Sequence, residues 1–445
     1  MIIDENSKAI IQLLINNGYD AYAVGGCVRD SIMGRTGGDI DITTSAKPEE
    51  TESVLKSAGI KYFETGIKHG TITAVAGGVN YEITTFRTDG EYCDNRHPEN
   101  VSYVSDIKDD LARRDFTINA IAYNEKKGYV DLYGGIDDIN AHLIRAVGNP
   151  VKRFNEDALR IMRGIRFASV LGFDIEAETE QAMLECKELL QNISSQRIFV
   201  ELIKLLQGDF CEKVLLKYKS IIGVIIPELT DCFDFPQNTK WHLYDVYSHS
   251  VKSIALAPNV DYIRFALLLH DSGKPQCKTT DSRGQDHFKG HPAVSTEIAE
   301  NVMSRFKVSN DFFKKVSTLI EYHDYYIREN PVNIKKWLNR LGEEMTLDYI
   351  DVKIADLSSH NLILSVEEIL TLERIKIMTE NIIKRGEPYK ISQLAVNGSD
   401  LINLGYRGKE IGEKLDSLLN FVMENPDCNK KDILVNFCQS GKEKP

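Results

Sequence analysis

No two of the eight cysteines in this 445-residue chain form a CxxC pair. They stand alone at positions 27, 93, 186, 211, 232, 277, 428 and 438, which argues against zinc ribbons and thioredoxin-type chemistry. Scattered thiols fit a reduced cytosol. The N-terminus, Met1-Ile2-Ile3-Asp4-Glu5, lacks the basic region of a secretory signal. No apolar run is long enough to span a bilayer, so no membrane partner is expected. Low-complexity segments and clear internal repeats are also missing. Positive charge is in deficit, with a formal net charge of −12. That argues against non-specific coating of nucleic acid but leaves room for a local basic groove, because steering depends on where charge sits.

What remains is the composition of a globular protein, 42% hydrophobic and 27% charged. The length is enough for two or more domains. The first ~145 residues mix strand and helix signals. A helix is expected over 9–15, a strand over 20–24 and a helix start at 30–33. A strand over 39–43 follows, and then strands over 71–75 and 81–86 joined at Gly77-Gly78, a hairpin signal. Residues 88–100 are polar and read as a mobile loop. Asn149-Pro150 marks a boundary, after which a single helix is expected over 156–172. Ser194-Ser195 opens another helix that runs through Gly208. Pro227 and the polar stretch 235–241 mark a second boundary. Residues 242–380 read as helical and hold seven of the ten histidines.

Four short motifs carry the chemistry. Gly25-Gly26-Cys27-Val28-Arg29-Asp30 lies between a strand and a helix start, where backbone N–H groups can approach a phosphate and Arg29 can reach it. Asp39-Ile40-Asp41, on an expected strand, would present both carboxylates on one face, a pairing that suits Mg²⁺. Glu82 is the candidate third carboxylate. Arg113-Arg114-Asp115 precedes an apolar run and offers Arg114 to phosphate oxygens. In Glu156-Asp157-Ala158-Leu159-Arg160, residues Asp157, Arg160 and Arg163 are three apart and share a helix face. A carboxylate accepting from an exocyclic amine, beside a guanidinium donating to a ring nitrogen, would take C and A and leave buried groups unpaired against G and U. Such pairing discriminates by about 10⁴. Arg166, nine residues beyond Asp157, falls on the opposite side of an ideal helix and is read as a phosphate or structural contact.

In this order and spacing the motifs resemble those of the class II tRNA nucleotidyltransferases, the bacterial CCA-adding and poly(A) polymerase family, over most of the chain. The stretch 131–139, with Gly135 and Asp138, matches that family's hinge-like motif. The resemblance implies an α+β fold: an N-terminal head with a small mixed β-sheet, then a mostly α-helical neck, body and tail. It places a catalytic head at 1–148, a base-recognising neck at 149–226, a body at 227–384 and a tRNA-binding tail at 385–445. Gly26, Arg29, Arg114, Asp157, Arg160, Arg163 and Arg166 would bind the nucleotide, and Asp39 and Asp41 would be catalytic and hold Mg²⁺. The substrates would be tRNA, CTP and ATP, in the cytoplasm. Residues 87–100 resemble the loop of full CCA-adding and A-adding relatives. The tail residues Tyr406, Arg407 and Lys409 resemble its RNA grip. Rival readings are a poly(A) polymerase or A-adding enzyme, and a metal-dependent phosphohydrolase. Nothing in the sequence fixes an oligomeric state.

The phosphohydrolase reading rests on His249, His270-Asp271 and Asp356, which have the order and rough spacing of an HD phosphohydrolase site. His291 and His323 could add ligands. Imidazole with carboxylate suits Mn²⁺, Fe, Ni²⁺ or Zn²⁺, so a second divalent metal is a candidate here.

Overall fold

Asp4 accepts hydrogen bonds from the N–H groups of Asn6 and Ser7 and so caps α1 (Glu5–Asn16). Ile10, Ile11 and Leu14 bury the inner face of that helix. The computed structural model describes residues 4–35, 38–66, 70–89 and 101–440. They fall into two units, Met1–Pro227 and Glu228–Pro445.

The first unit is built on a seven-stranded mixed sheet. Its strands are β1 (Ala21–Val24), β2 (Asp41–Thr44), β3 (Lys61–Gly66), β4 (Thr71–Ala76), β5 (Val79–Thr85), β8 (Ile121–Asn124) and β9 (Gly128–Asp131). Their spatial order is β3-β4-β5-β2-β1-β8-β9. Gly77 and Gly78, both at positive φ, close the β4–β5 hairpin, as the Gly-Gly signal predicts. A separate short ladder joins β6 (Arg87–Asp89) to β7 (Val101–Tyr103). The centre of the expected mobile loop, 90–100, lies outside the described residues. Tyr22, Val24, Phe86, Leu111, Ala120, Ala122 and Val147 form one buried cluster.

Around the sheet run α2 (Gly26–Ile32), α3 (Pro48–Ser57), α4 (Ile107–Ala112) and α5 (Gly135–Asn140). Beyond them come α6 (Pro150–Glu156), α7 (Leu159–Leu171), α8 (Ala177–Cys186), α9 (Ser195–Leu206), α10 (Cys211–Lys217) and α11 (Lys219–Ile225). Three sequence expectations are corrected. Helix α2 begins at Gly26, not near Asp30, because Gly25 (φ 82°) turns the chain directly out of β1. Strand β2 begins at Asp41, so Asp39 precedes it. Asp41 pairs with Val24, the last residue of β1, and beyond that point β1 has no partner to give. The helix expected over 156–172 is two helices. Asp157 is extended (φ −138°, ψ 102°), and its carboxylate accepts from the Leu159 N–H at 3.1 Å, a local bond that competes with helix continuation.

The second unit is mostly helical. Its helices are α12 (Val246–Leu256), α13 (Asp261–Leu269), α14 (Lys274–Cys277), α15 (His291–Phe306), α16 (Asn310–Tyr322), α17 (Pro331–Leu341), α18 (Glu343–Ser358) and α19 (Leu362–Lys384). Helix α13 is buried continuously from Ile263 to Leu269 and packs against α12, α15, α16 and α18. A helix apolar all round belongs at the centre of such a bundle. The tail helices pack around Leu401, Leu418, Val422 and Leu434. No helix among the described residues is long and apolar enough to cross a membrane.

Gly135 shows how tightly the head is closed. A Cβ there would overlap the Thr117 carbonyl oxygen and approach Ile121 at 2.8 Å. Backbone cannot yield as a flexible side chain can. Gly135→Ala is therefore expected to destabilise the chain by about 1–3 kcal/mol, read as a lower urea midpoint at unchanged slope.

Candidate active site and a buried histidine cluster

The sheet register brings the head motifs to one end. Val24, at the end of β1, faces Asp41 on one side and Ala122 on the other. On the far side of β2, Asp41 is in register with Glu82 of the parallel strand β5. In β5, Tyr81, Ile83 and Thr85 are buried while Glu82 faces outward, so Asp41 and Glu82 stand side by side on the open face. Burial pushes the Asp41 carboxyl up, and the carboxylates of Glu82 and Asp39 push it further, against Arg114 and Arg163. Asp39, Asp41 and Glu82 thus form one acidic group with two guanidiniums close by. Cys27 lies beside it, its thiol pushed up to about 11 by burial and by Asp41.

Gly25 closes the turn at positive φ, and a Cβ there would meet Arg114 Nη1 at 3.2 Å. Gly26, by contrast, opens α2 with ordinary φ. Arg114 is oriented from below by Asp110 of α4, which is fully buried. Asp110 accepts from Arg114 Nη2 at 3.1 Å and from Arg113 Nε and Nη2 at 3.0 and 2.7 Å. Sequence reasoning missed Asp110. Its signal was an acid three and four residues ahead of two arginines, a pattern that usually marks a solvated helix face.

A second buried carboxylate links the motifs. Asp115 accepts from the Phe116 N–H at 2.8 Å, from Asn119 Nδ2 at 3.1 Å and from Arg163 Nε at 2.8 Å. Asn119 in turn accepts from Arg29 Nη1 at 2.7 Å. Burial alone would raise the Asp115 carboxyl. Arg163 and the hydrogen bonds more than reverse this and bring it down to about 2.

Arg29, Arg163 and Arg166 all lie over the ring of Phe167, at 5.0, 5.4 and 3.8 Å from its centroid. Arg166, expected opposite Asp157 on one helix as a phosphate or structural contact, thus stands with Arg29 and Arg163 on the Phe167 ring. The break at Asp157 removes the helical phase on which that expectation stood. Burial and the neighbouring Arg163 and Arg29 pull Arg166 down, while Glu201, 2.7 Å away, holds it up. The shared helix face expected for Asp157 and Arg160 is lost as well. Asp157 Oδ2 accepts from Arg197 Nη2 of α9 at 2.9 Å. Arg160 is buried and donates to Glu156 Oε2 at 2.9 Å and to the carbonyls of Arg153 and Arg113 at 3.0 and 2.8 Å.

In the second unit, His270 caps the C-terminal end of α13 and places His270-Asp271 in the bundle centre. His249 Nε2 is 2.8 Å from Asp356 Oδ1, and Ser359 Oγ lies 2.7 Å from His249 Nδ1. His270 Nε2 is 3.5 Å from Asp356 Oδ1. Burial brings His249 down to about 4, against the pull of Asp356. For Asp271, burial is outweighed by His270 and Lys274, which hold the carboxyl well below the usual range. All four expected residues meet here. In the tail, Tyr406 donates to the Cys438 carbonyl at 2.9 Å and Arg407 Nη1 to the Ile402 carbonyl at 3.2 Å.

Family models match the chain in three places. Residues 21–145 match the Poly A polymerase head domain, 172–233 the probable RNA and SrmB-binding site of polymerase A, and 242–359 the HD domain. A sheet carrying grouped acids beside two arginines, within the matched head domain, is that of a nucleotidyltransferase. The CCA-adding enzyme of Lactobacillus helveticus is 34% identical over 97% of this chain and 95% of its own length. That of Streptococcus suis is 48% identical over 76% of this chain and 75% of its own. The crystal structure of the Bacillus stearothermophilus CCA-adding enzyme in complex with CTP superposes with a TM-score of 0.71 at 29% identity, over 98% of this chain and 96% of that one. The chain belongs to the family of CCA-adding enzymes.

The Asp115 network yields a pH prediction. Its folded-state carboxyl sits near 2, below the unfolded value of about 3.9. Its stabilisation is therefore complete above about pH 4 and is lost as pH falls toward 2. Asp115→Asn is expected to cost about 2–3 kcal/mol at pH 6 by stranding Arg163. In urea titrations the gap from the parent chain should narrow steadily between pH 4 and pH 2.

Proposed function

We propose that the protein adds C, C and A to the 3′ end of tRNA without a template, using CTP and ATP and releasing pyrophosphate. The observation that carries this reading is the register that sets Asp41 beside Glu82, with Asp39 and Arg114 near Asp41. The tRNA 3′-hydroxyl would attack the α-phosphorus of the bound nucleotide. The new bond is O3′–Pα, the bond to the bridging oxygen breaks, and the hydroxyl proton is released as pyrophosphate leaves. Asp39, Asp41 and Glu82 are hard oxygen donors and fit Mg²⁺. When bound, such an ion neutralises phosphate charge and favours the alkoxide form of the attacking group. Arg29, Arg114, Arg163 and Arg166, with the backbone at Gly26, would hold the triphosphate. Asp157 and Arg160, on either side of the break before α7 and not on one helix face, would each meet the Watson–Crick edge of C and A through the hydrogen-bonding capacity that their structural partners leave over. Arg197 and Glu156 keep that pair oriented.

The same reading assigns a head at 1–148, a neck at 149–226, a body at 227–384 and a tail at 385–445 that grips tRNA through Arg407 and Lys409. It places the enzyme in the cytoplasm, consistent with the free cysteines among the described residues. The HD residues His249, His270, Asp271 and Asp356 would hold a separate divalent metal. Two imidazoles and two carboxylates at one buried point suit a transition ion.

The test is tRNA ending at its discriminator base, incubated with CTP, ATP or both and sized at single-nucleotide resolution. A product three nucleotides longer that requires both nucleotides is expected. Long A tracts from ATP alone would mark a poly(A) polymerase instead. Asp41→Asn should lower incorporation by about 10³-fold, the loss of several kcal/mol of transition-state stabilisation. Asp157→Ala should leave folding intact but cut the preference for CTP over UTP by about 10²-fold or more, read from single-turnover incorporation.

A further inference from the structure

Two rows of side chains cross neighbouring strands on one face of the head sheet. The first is acidic, with Asp41 of β2 in register with Glu82 of β5. The second lies two residues further along the same strands, about 6–7 Å away, and is made of threonines. Thr43 is in register with Thr84, and Thr84 with Thr71 of β4. Residues two apart on a strand share a face, so Thr43 stands on the side of Asp41 and Thr84 on the side of Glu82. Thr71 Oγ1 and Thr84 Oγ1 are 3.0 Å apart. The Thr43 hydroxyl has one proton and two acceptors in reach, the Thr84 carbonyl at 3.2 Å and Asp110 Oδ2 at 3.3 Å. The row of threonines thus ends on a carboxylate.

Asp110 joins that row to the arginine segment. It belongs to α4 and is 0% exposed. Its Oδ1 accepts from Arg113 Nε and Nη2. Its Oδ2 accepts from both Thr43 Oγ1 and Arg114 Nη2, at 3.3 and 3.1 Å. Burial alone would raise this carboxyl, but Arg114 and Arg113 hold it below its usual value. The oxygen shared by Thr43 and Arg114 therefore carries charge. A buried carboxylate with four donors on it has little freedom, because moving it breaks bonds that the interior cannot replace. A shift of Asp110 must take β2 or Arg114 along. Arg114 Nη1 is left beside Gly25, at the turn into α2. One side chain thus ties the strand of the acids to the guanidinium that faces them.

We propose that Thr43 and Asp110 are positioning residues for nucleotidyl transfer, and that the hydrogen bond between them sets the spacing of the Asp41–Glu82 carboxylates from Arg114. The inference deepens the proposed nucleotidyl transfer and rests on it. In that reaction the acids hold the cation and Arg114 holds the triphosphate. Their separation decides whether the α-phosphorus faces the attacking 3′-hydroxyl. Neither Thr43 nor Asp110 touches the substrate; their part is alignment. A misplacement of about 1 Å can cost about 10²-fold in rate. Rate and affinity separate at Thr43. Without its hydroxyl, Arg114 still has its charge and its bond to Asp110, so the triphosphate is held as before. What is lost is the tie between that guanidinium and β2.

The experiment measures kcat and KM for CTP with the full chain on tRNA ending at its discriminator base. Thr43→Val keeps the β-branched shape that suits a strand and removes the hydroxyl. It is expected to lower kcat by about 10-fold while KM stays within about twofold. Thr43→Ser, which keeps the hydroxyl, should restore kcat. Asp110→Asn loosens Arg113 and Arg114 as well, and is expected to lower kcat by about 10²-fold and to raise KM. A Thr43→Val chain with the kcat of the parent overturns the proposal. So does a loss that falls on KM alone, or one that Thr43→Ser does not restore. If Asp110→Asn fails to fold, the two Thr43 variants decide. A parent chain that adds no nucleotide overturns the proposed nucleotidyl transfer itself, whereas an active parent with an indifferent Thr43→Val overturns only the tie.

Discussion

Asp115 is the fixed point of the first unit. Its carboxylate is 8% exposed and holds Arg163 from α7, Asn119 from its own segment and, through Asn119, Arg29 from α2. Those contacts join three of the four head motifs in one hydrogen-bonded chain. An isolated carboxylate in that place would be protonated or would draw in water, because burial penalises charge. Here every partner is a donor, and the favourable state is the ionised one. The guanidiniums are thereby held in fixed directions, and little rotamer entropy would remain to be lost if a nucleotide bound them as proposed. Asp110 does the same for Arg114 from the other side.

The two sites solve the problem of collecting like charges differently. In the head, three acids gather at the open end of a sheet, where solvent screens them and Arg114 and Arg163 stand opposite. The histidine cluster is buried, at the end of a helix that closes on the apolar run Phe265–Leu269, lines a cavity of about 380 Å³ and balances two carboxylates with imidazoles and one lysine. An open site admits a large polyanion and a nucleic-acid end. A buried one meets only what enters the cavity that it lines. The chemistry each can carry follows from this difference in access as much as from the residue types.

Much of this was legible in the sequence because the motifs fall on or beside neighbouring strands, β2, β1 and β8. Gly25-Gly26 and Asp39-Ile40-Asp41 sit at strand ends and Arg113-Arg114-Asp115 directly follows α4, and Glu82 was a candidate as the carboxylate on the strand expected over 81–86. What failed was phase. Periodicity treats 156–172 as one helix, and nothing in it reports that Asp157 prefers a local bond to Leu159 and an ion pair with Arg197, forty residues on. Once that break is present, angles counted from Asp157 lose meaning, so neither the shared face drawn for Arg160 nor the opposite side drawn for Arg166 follows from them. Asp110 escaped for a different reason. A solvated acid and a buried one look alike in sequence, and burial is a property of the packing above them.

The net charge of −12 is no obstacle to a polyanionic substrate once the pairing is considered. Arg29, Arg113, Arg114, Arg163 and Arg166 each have an acidic or amide partner within the first unit, so the local excess of positive charge is small. What the site offers is oriented N–H donors in a partly desolvated setting, where hydrogen bonds to phosphate are stronger than at an open surface. A substrate phosphate need not displace Asp110 or Asp115 to be bound. Each guanidinium has five donors, and the acids use only some of them. The buried carboxylates therefore fix the direction of the remaining donors, and in the proposed site a triphosphate would be recognised by that direction and not by bulk charge.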